Sequence, residues 1–299
     1  MSDPREVPCN GRVAPLSWRG RVEAERFVEP ERRAVSGASA FLLAGPGGRR
    51  ERELLHGEGF DVLEARDGHA FGSAARDGYV GWVPEAALGP DPGASHAVAV
   101  RRTLLFPAPD LKRPPVAALS FGARLAAEPD GVWMRTRWAG VAAWAPAMHL
   151  RAVDAPMSDH AGVAELFLGA PYLWGGNGSD GLDCSGLVQA ALLACGIACP
   201  GDADQQEAAM GGPLPDAEPL RRGDLVFWAG HVAIALDRDR LLHANAGAMA
   251  VSIETLDRAV ARIEAQGDGR PTSRRRPQPP ALPRRDCPAA GRGFSPPRG

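Results

Sequence analysis

Apolar residues recur at helical spacing in one stretch, "DCSGLVQAALLACG", where Leu187, Val188, Ala191, Leu192 and Cys195 form a continuous stripe. The pattern predicts a helix beginning near Asp183, with Gly196 as its C-terminal cap. A shorter stripe, Val163, Leu166 and Phe167, predicts a preceding helix capped by Ser158 or Asp159, after a linker that begins near Val153. Downstream the period changes. "DLVFWAG" (Asp224 to Gly230), "HVAIALD" (His231 to Asp237) and "RLLHANA" (Arg240 to Ala246) read as successive strands separated by polar turns. A helix followed by a meander predicts an α+β domain. Upstream, "FDVLEA" and "GVWMRTRW" have strand character, and two segments end alike: "DGYVGWVPEAAL" and "WAGVAAWAPAMHL". Each carries Trp, one further residue, Pro, and Leu four residues on, an internal repeat that predicts two small all-β barrels.

The organisation expected is an N-terminal extension over 1–30, barrels over 31–90 and 91–152, the α+β domain over 153–268, and a tail over 269–299. The tail is dense in Arg and Pro, a composition that predicts disorder. Hydrophobic residues at 44% and charged residues at 23% are ordinary for a globular chain, and no apolar run is long enough to span a membrane. The start lacks the apolar core of an export signal, which leads to the expectation of a cytoplasmic protein. The net charge of −2 gives no general attraction to nucleic acid or lipid. Cys9, Cys184, Cys195, Cys199 and Cys287 have neither disulfide-framework nor paired zinc-ligand spacing, so free thiols are expected.

Cys184 differs from the other thiols. A cysteine at a helix N-terminus faces unpaired N–H groups and the positive end of the dipole, which favour the thiolate. Cys195 continues the apolar stripe and Cys199 precedes Pro200, so both read as structural. A thiolate attacking an amide needs a proton donor for the leaving amine, and His231 opens an apolar strand among small neighbours. A third group must orient that imidazole. His243 falls across a turn on the adjacent strand, and Asn245 shares its strand face as the substitute.

"PYLWGG", "DCSGLVQ", "GDLVFW", "GHVAI" and "LLHANA", in this order, resemble the NlpC-type cell-wall peptidases, papain-like cysteine peptidases, over about residues 160–263. The Gly-Trp-Val-Pro ending of the repeat resembles bacterial SH3 domains. The resemblance implies Cys184 as nucleophile, His231 as general base and acid, His243 as the orienting residue, and Tyr172 as a partner of the Cys184 amide in binding the oxyanion. Layout and motifs together are similar to a narrower branch, the γ-D-glutamyl-L-diamino-acid endopeptidases, which recognise a free N-terminal L-Ala. That likeness implies that Asp183 binds the amine together with Glu58 and Tyr79 of the first barrel, and that Trp174, Ser185 and Asp202 contact the peptide. At the roughly corresponding positions the second repeat carries Ala123 and Val141. Trp174 suits the core equally. In "CPGDADQQ" the chain has Gly201, Asp202 and Ala203 where the branch has Arg-Asp-Ser, removing one polar contact. The expected partner is a peptidoglycan-derived peptide, with no nucleic acid, membrane, metal or other cofactor. A noncatalytic wall-binding module, and an acyltransferase or amidase on the same scaffold, are the alternative functions.

Overall fold

The computed structural model describes residues 3–278 apart from residue 216. Three β-rich or mixed units follow one another. The first barrel is a seven-stranded antiparallel sheet in the order Arg50–Leu55, Ser39–Leu43, Val80–Pro84, His69–Ala74, Gly59–Arg66, Glu31–Val35, Leu88–Pro90. Alternation turns Leu42, Leu54, Phe60 and Val83 inward to its core. The N-terminal extension is not loose. Val13–Pro15 pairs in parallel with Arg26–Val28, and Val13 packs on Leu63, Phe71 and Trp82 of the barrel.

The second barrel is built from small sheets, among them the meander Glu128–Asp130, Trp133–Trp138, Val141–Pro146. Both copies of the repeat end as a strand, a 3-10 turn and a further strand: Val80–Pro84 then Glu85–Ala87 and Leu88–Pro90, and Val141–Pro146 then Ala147–His149 and Leu150–Ala152. Proline closes the strand in each case, because it lacks the N–H to continue the ladder.

The last unit carries α1 (His160–Glu165), α2 (Cys184–Ala194), α3 (Ala203–Ala209) and α4 (Leu256–Gln266). They surround a five-stranded antiparallel sheet ordered Ala250–Thr255, Arg240–Asn245, His231–Ala235, Leu225–Trp228, Ser273–Arg275. α2 buries Leu187, Val188, Ala191 and Leu192 against Phe227, Val232, Ile234 and Leu242 of this sheet. The strand at Ser273–Arg275 overturns part of the expected disorder over 269–299. An edge strand uses backbone pairing alone, so Arg-rich side chains are tolerated, and Arg276 binds the buried Asp224 at 2.7 and 2.8 Å and Glu218 at 2.6 Å. Residues 279–299, with Cys287, lie outside the described residues.

Candidate active site

The Asp183 side chain caps α2: its Oδ1 accepts from Gly186 N at 2.6 Å, satisfying one of the open N–H groups of the first turn. This fixes Cys184 as the first helical residue. Gly186 lets the preceding loop close over that turn, since a Cβ there would stand 2.1 Å from Gly176 O. Cys184 faces the head of the strand His231–Ala235, whose Val232 amide and the amide of Ser185 both favour a charged sulfur. They are outweighed. Burial, with the Asp183 carboxylate adding to it, pushes the thiol up to about 12, so the thiolate expected from the helix terminus is not the resting form.

His231 Nε2 lies 2.9 Å from His243 Nδ1 on the neighbouring strand. Burial, and then the neighbouring His243, lower His231 to about 3, and burial lowers His243 to about 4. Both rings are therefore neutral at ordinary pH. His243 and not Asn245 stands beside His231; the Asn245 amide is spent closing the next turn through Ser252 Oγ at 2.9 Å and Ala248 N at 2.8 Å. Beyond His243, its Nε2 stands 3.3 Å from Glu254, which Arg262 holds at 2.8 and 3.2 Å.

A cleft of about 180 Å³ opens at the sulfur, lined by Cys184, Tyr172, Trp174, Gly230 and a ring of charged side chains: Arg5, Glu51, Asp183, Asp202 and Asp204. Larger cavities exist, but this one reaches Cys184. Trp174 is 63% exposed, which places it on the cleft wall and not in the core. Tyr172 is half-buried; burial, with Cys184 and Asp183 nearby, raises its hydroxyl to about 12, so it stays protonated as a donor.

The amine-binding group expected from the sequence is rearranged. Glu58 lies elsewhere: its Oε2 takes Arg76 Nη1 at 2.7 Å and Leu55 N at 2.8 Å and lines a separate cavity between the units. Glu58 sits in the turn through Gly57 that joins the strands Arg50–Leu55 and Gly59–Arg66, and the barrel carboxylate facing the cleft is Glu51. Tyr79 is buried and donates to Asp202 Oδ2 at 3.0 Å; burial raises its pKa. Asp183 is already engaged by Gly175 N at 2.8 Å, Ser185 Oγ at 3.1 Å and Arg52 Nη1 at 3.2 Å. Ser185 bridges Asp183 and Arg52, the latter at 3.1 Å. Asp202 caps α3 in a reciprocal pair with Gln205 and takes Arg5 at 2.7 Å.

Arg52, Arg5, Glu51, Asp204 and Glu254 escaped the sequence reading. Arg52 and Glu51 sit in "RRERELL", a charge run that looks solvated, yet Arg52 is 1% exposed and lies beside Gly201, where the Tyr79 ring would stand 2.7 Å from an added Cβ. Glu254 has a legible signal only once register is known. His243 pairs with Ser252, so Glu254 is its diagonal neighbour on the same face.

A buried cysteine at a helix head, backed by a histidine pair on an antiparallel sheet, defines the papain-like cysteine peptidase class. Residues 169–266 match the NlpC/P60 family, and residues 42–88 match the bacterial dipeptidyl-peptidase SH3 domain. The chain thus carries an NlpC/P60 domain behind a bacterial dipeptidyl-peptidase SH3 domain. It is similar to the gamma-D-glutamyl-L-lysine dipeptidyl-peptidase of Bacillus subtilis, 36% identical over 121 residues, covering 35% of this chain and 40% of that protein. Dipeptidyl-peptidase 6 of Lysinibacillus sphaericus is 30% identical over 133 residues, 42% of this chain and 45% of the relative. The matched segments therefore span less than half the length of these relatives. An NlpC/P60 family protein from Bacillus cereus shares the fold with a TM-score of 0.70 at 22% identity, over 82% of this chain and 99% of that one.

Proposed function

We propose that this chain is a cysteine peptidase that hydrolyses the bond between γ-D-glutamate and an L-diamino acid in peptidoglycan-derived peptides with a free N-terminal L-Ala. The observation that carries the reading is the Cys184 head of α2 facing a strand whose His231 is bonded to His243 at 2.9 Å. His231 takes the thiol proton as Cys184 Sγ attacks the γ-glutamyl carbonyl carbon. The oxyanion is met by the Cys184 amide and the Tyr172 hydroxyl. His231 then returns the proton to the departing amine, and water, deprotonated by the same ring, cleaves the thioester.

The cleft supports a cationic substrate end. Four carboxylates, Glu51, Asp183, Asp202 and Asp204, line it against the single lining cation Arg5. Glu51, held among the described residues only by exposed Arg49 at 2.8 Å, is the acid most available to an ammonium group. The names of the relatives favour lysine as the third residue, and diaminopimelate offers the same amine leaving group. A role in intracellular recycling of trimmed wall peptides fits a small, soluble substrate.

The test is incubation with L-Ala-γ-D-Glu-L-Lys and its diaminopimelate counterpart, each with a free or acetylated N-terminus, followed by mass spectrometry. Release of L-Ala-D-Glu is expected. Acetylation removes one or two charged hydrogen bonds of about 1.5–3 kcal/mol each, lowering kcat/KM by roughly tenfold to ten-thousandfold. Glu51→Gln should narrow that gap and Glu58→Gln should not. Equal cleavage of free and blocked peptides would mark a general wall endopeptidase instead.

A further inference from the structure

The histidine pair has a direction that two rings alone do not fix. Each neutral imidazole carries one N–H, and the contact between His231 Nε2 and His243 Nδ1 is satisfied with the proton on either nitrogen. With the proton on His231 Nε2, Nδ1 of His231 keeps a lone pair that can receive the thiol proton. With it on His243 Nδ1, His231 carries its hydrogen on Nδ1 and cannot act as a base there.

What lies beyond His243 decides between the two. Its Nε2 is fully buried with no aligned hydrogen-bond partner among the described residues, and the carboxylate oxygen facing it is Glu254 Oε2 at 3.3 Å. Arg262, projecting from α4, grips both oxygens of this carboxylate, Nη2 to Oε2 at 2.8 Å and Nε to Oε1 at 3.2 Å. The Arg262 guanidinium holds Glu254 below the usual carboxylate range, and the carboxylate stays charged. A lone pair on His243 Nε2 would face that anion at 3.3 Å, whereas an N–H there has the carboxylate as its acceptor after a small shift of either side chain.

We propose that Glu254 is a positioning residue that keeps the proton of His243 on Nε2, so that His243 Nδ1 accepts from His231 Nε2–H and His231 Nδ1 is left free to take the proton of Cys184. The wiring runs from α4 through the edge strand and two inner strands to the nucleophile, and Arg262 anchors its far end. The last link rests on the assignment of Cys184 and His231 as the reacting pair; the tautomers do not.

The test reads protons and turnover separately. Long-range ¹⁵N–¹H spectra of histidine-labelled protein, assigned with His231→Gln and His243→Gln, should show Nε2–H on both rings in the unmodified chain. In Glu254→Gln the side-chain amide can donate to Nε2, so the His243 signals should move toward Nδ1–H. By analogy with loss of an orienting carboxylate behind a catalytic histidine, kcat should fall roughly 10- to 1000-fold with KM within about threefold. Arg262→Lys, which keeps a cation, should retain more activity than Arg262→Ala. Nδ1–H on His231 in the unmodified protein overturns the proposal, as does a folded Glu254→Gln with unchanged tautomers and kcat. If Glu254→Gln does not fold, the spectrum of the unmodified protein decides alone. If no peptide is cleaved, the peptidase reading fails while the tautomers are still read, with the alkylation rate of Cys184 replacing kcat.

Discussion

The place of Cys184 was legible because a helix stripe fixed it at the head of α2, but its proton was not. The dipole argument leads to a thiolate, and burial reverses it, raising the thiol to about 12 while His231 falls to about 3. The resting pair is thiol and neutral imidazole, and proton transfer accompanies attack. Alkylation of Cys184 by iodoacetamide should therefore keep rising with pH through the range 7–10; a plateau above pH 6 would instead reveal a preformed ion pair. Cys184→Ala should abolish peptide cleavage with the fold intact, whereas Cys195→Ala should leave it. The charged wall of the cleft was less legible. Asp183 and Asp202 were found from motifs, but the barrel acid was placed at Glu58 where the structure presents Glu51, because a local string does not say which side of a docked strand meets another unit.

Long apolar periodicity made α2 and the strands from Leu225 to Asn245 readable almost to the residue. α3 and α4 were missed for a physical reason. α3 buries only Ala203 and Gln206, and α4 only Ala259 and Ile263, so neither shows a broad stripe. Both nevertheless shape the site, one through its Asp202 cap and the other through Arg262. One tight element-level constraint is the crossing of α2 by its preceding loop. Gly186→Ala would drive a Cβ to 2.1 Å from Gly176 O and should cost about 2–4 kcal/mol in urea unfolding, while Gly212→Ala, with open space around it, should stay within about 0.5 kcal/mol. The paired strands also carry an acid sensitivity. His231 and His243, lowered to about 3 and 4 from 6.5, remain unprotonated when folded, whereas the unfolded chain takes up their protons as pH falls below 6.5. Stability is thus full above that pH and declines toward 4, by up to roughly 1.4 kcal/mol per pH unit per group. The urea midpoint should drop from pH 7 to pH 5, and His231→Gln should lessen the drop; equal midpoints at both pH values would refute the assignment.

Across the whole molecule, the second barrel is keyed into the peptidase domain. Phe121 belongs to that domain's core, meeting Phe167 edge-on at 5.6 Å, and Ser120 and Ser179 join at 2.8 Å. Thermal unfolding should accordingly be a single transition, and Phe121→Ala, at a loss of about 3–5 kcal/mol, should split it into two. The first barrel docks by backbone as well, with Glu53 N on Gly175 O at 2.7 Å. The cleft is consequently a shared object: Arg5 comes from the extension, Glu51 from the first barrel, Cys184 from the last unit. Covalent continuity turns what would be a two-body encounter into an intramolecular one, with the barrel present at millimolar effective concentration. In a chain nicked in the linker after Val153 the fraction of complete clefts would then depend on protein dilution, and any affinity of the cleft for a peptide would fall with it.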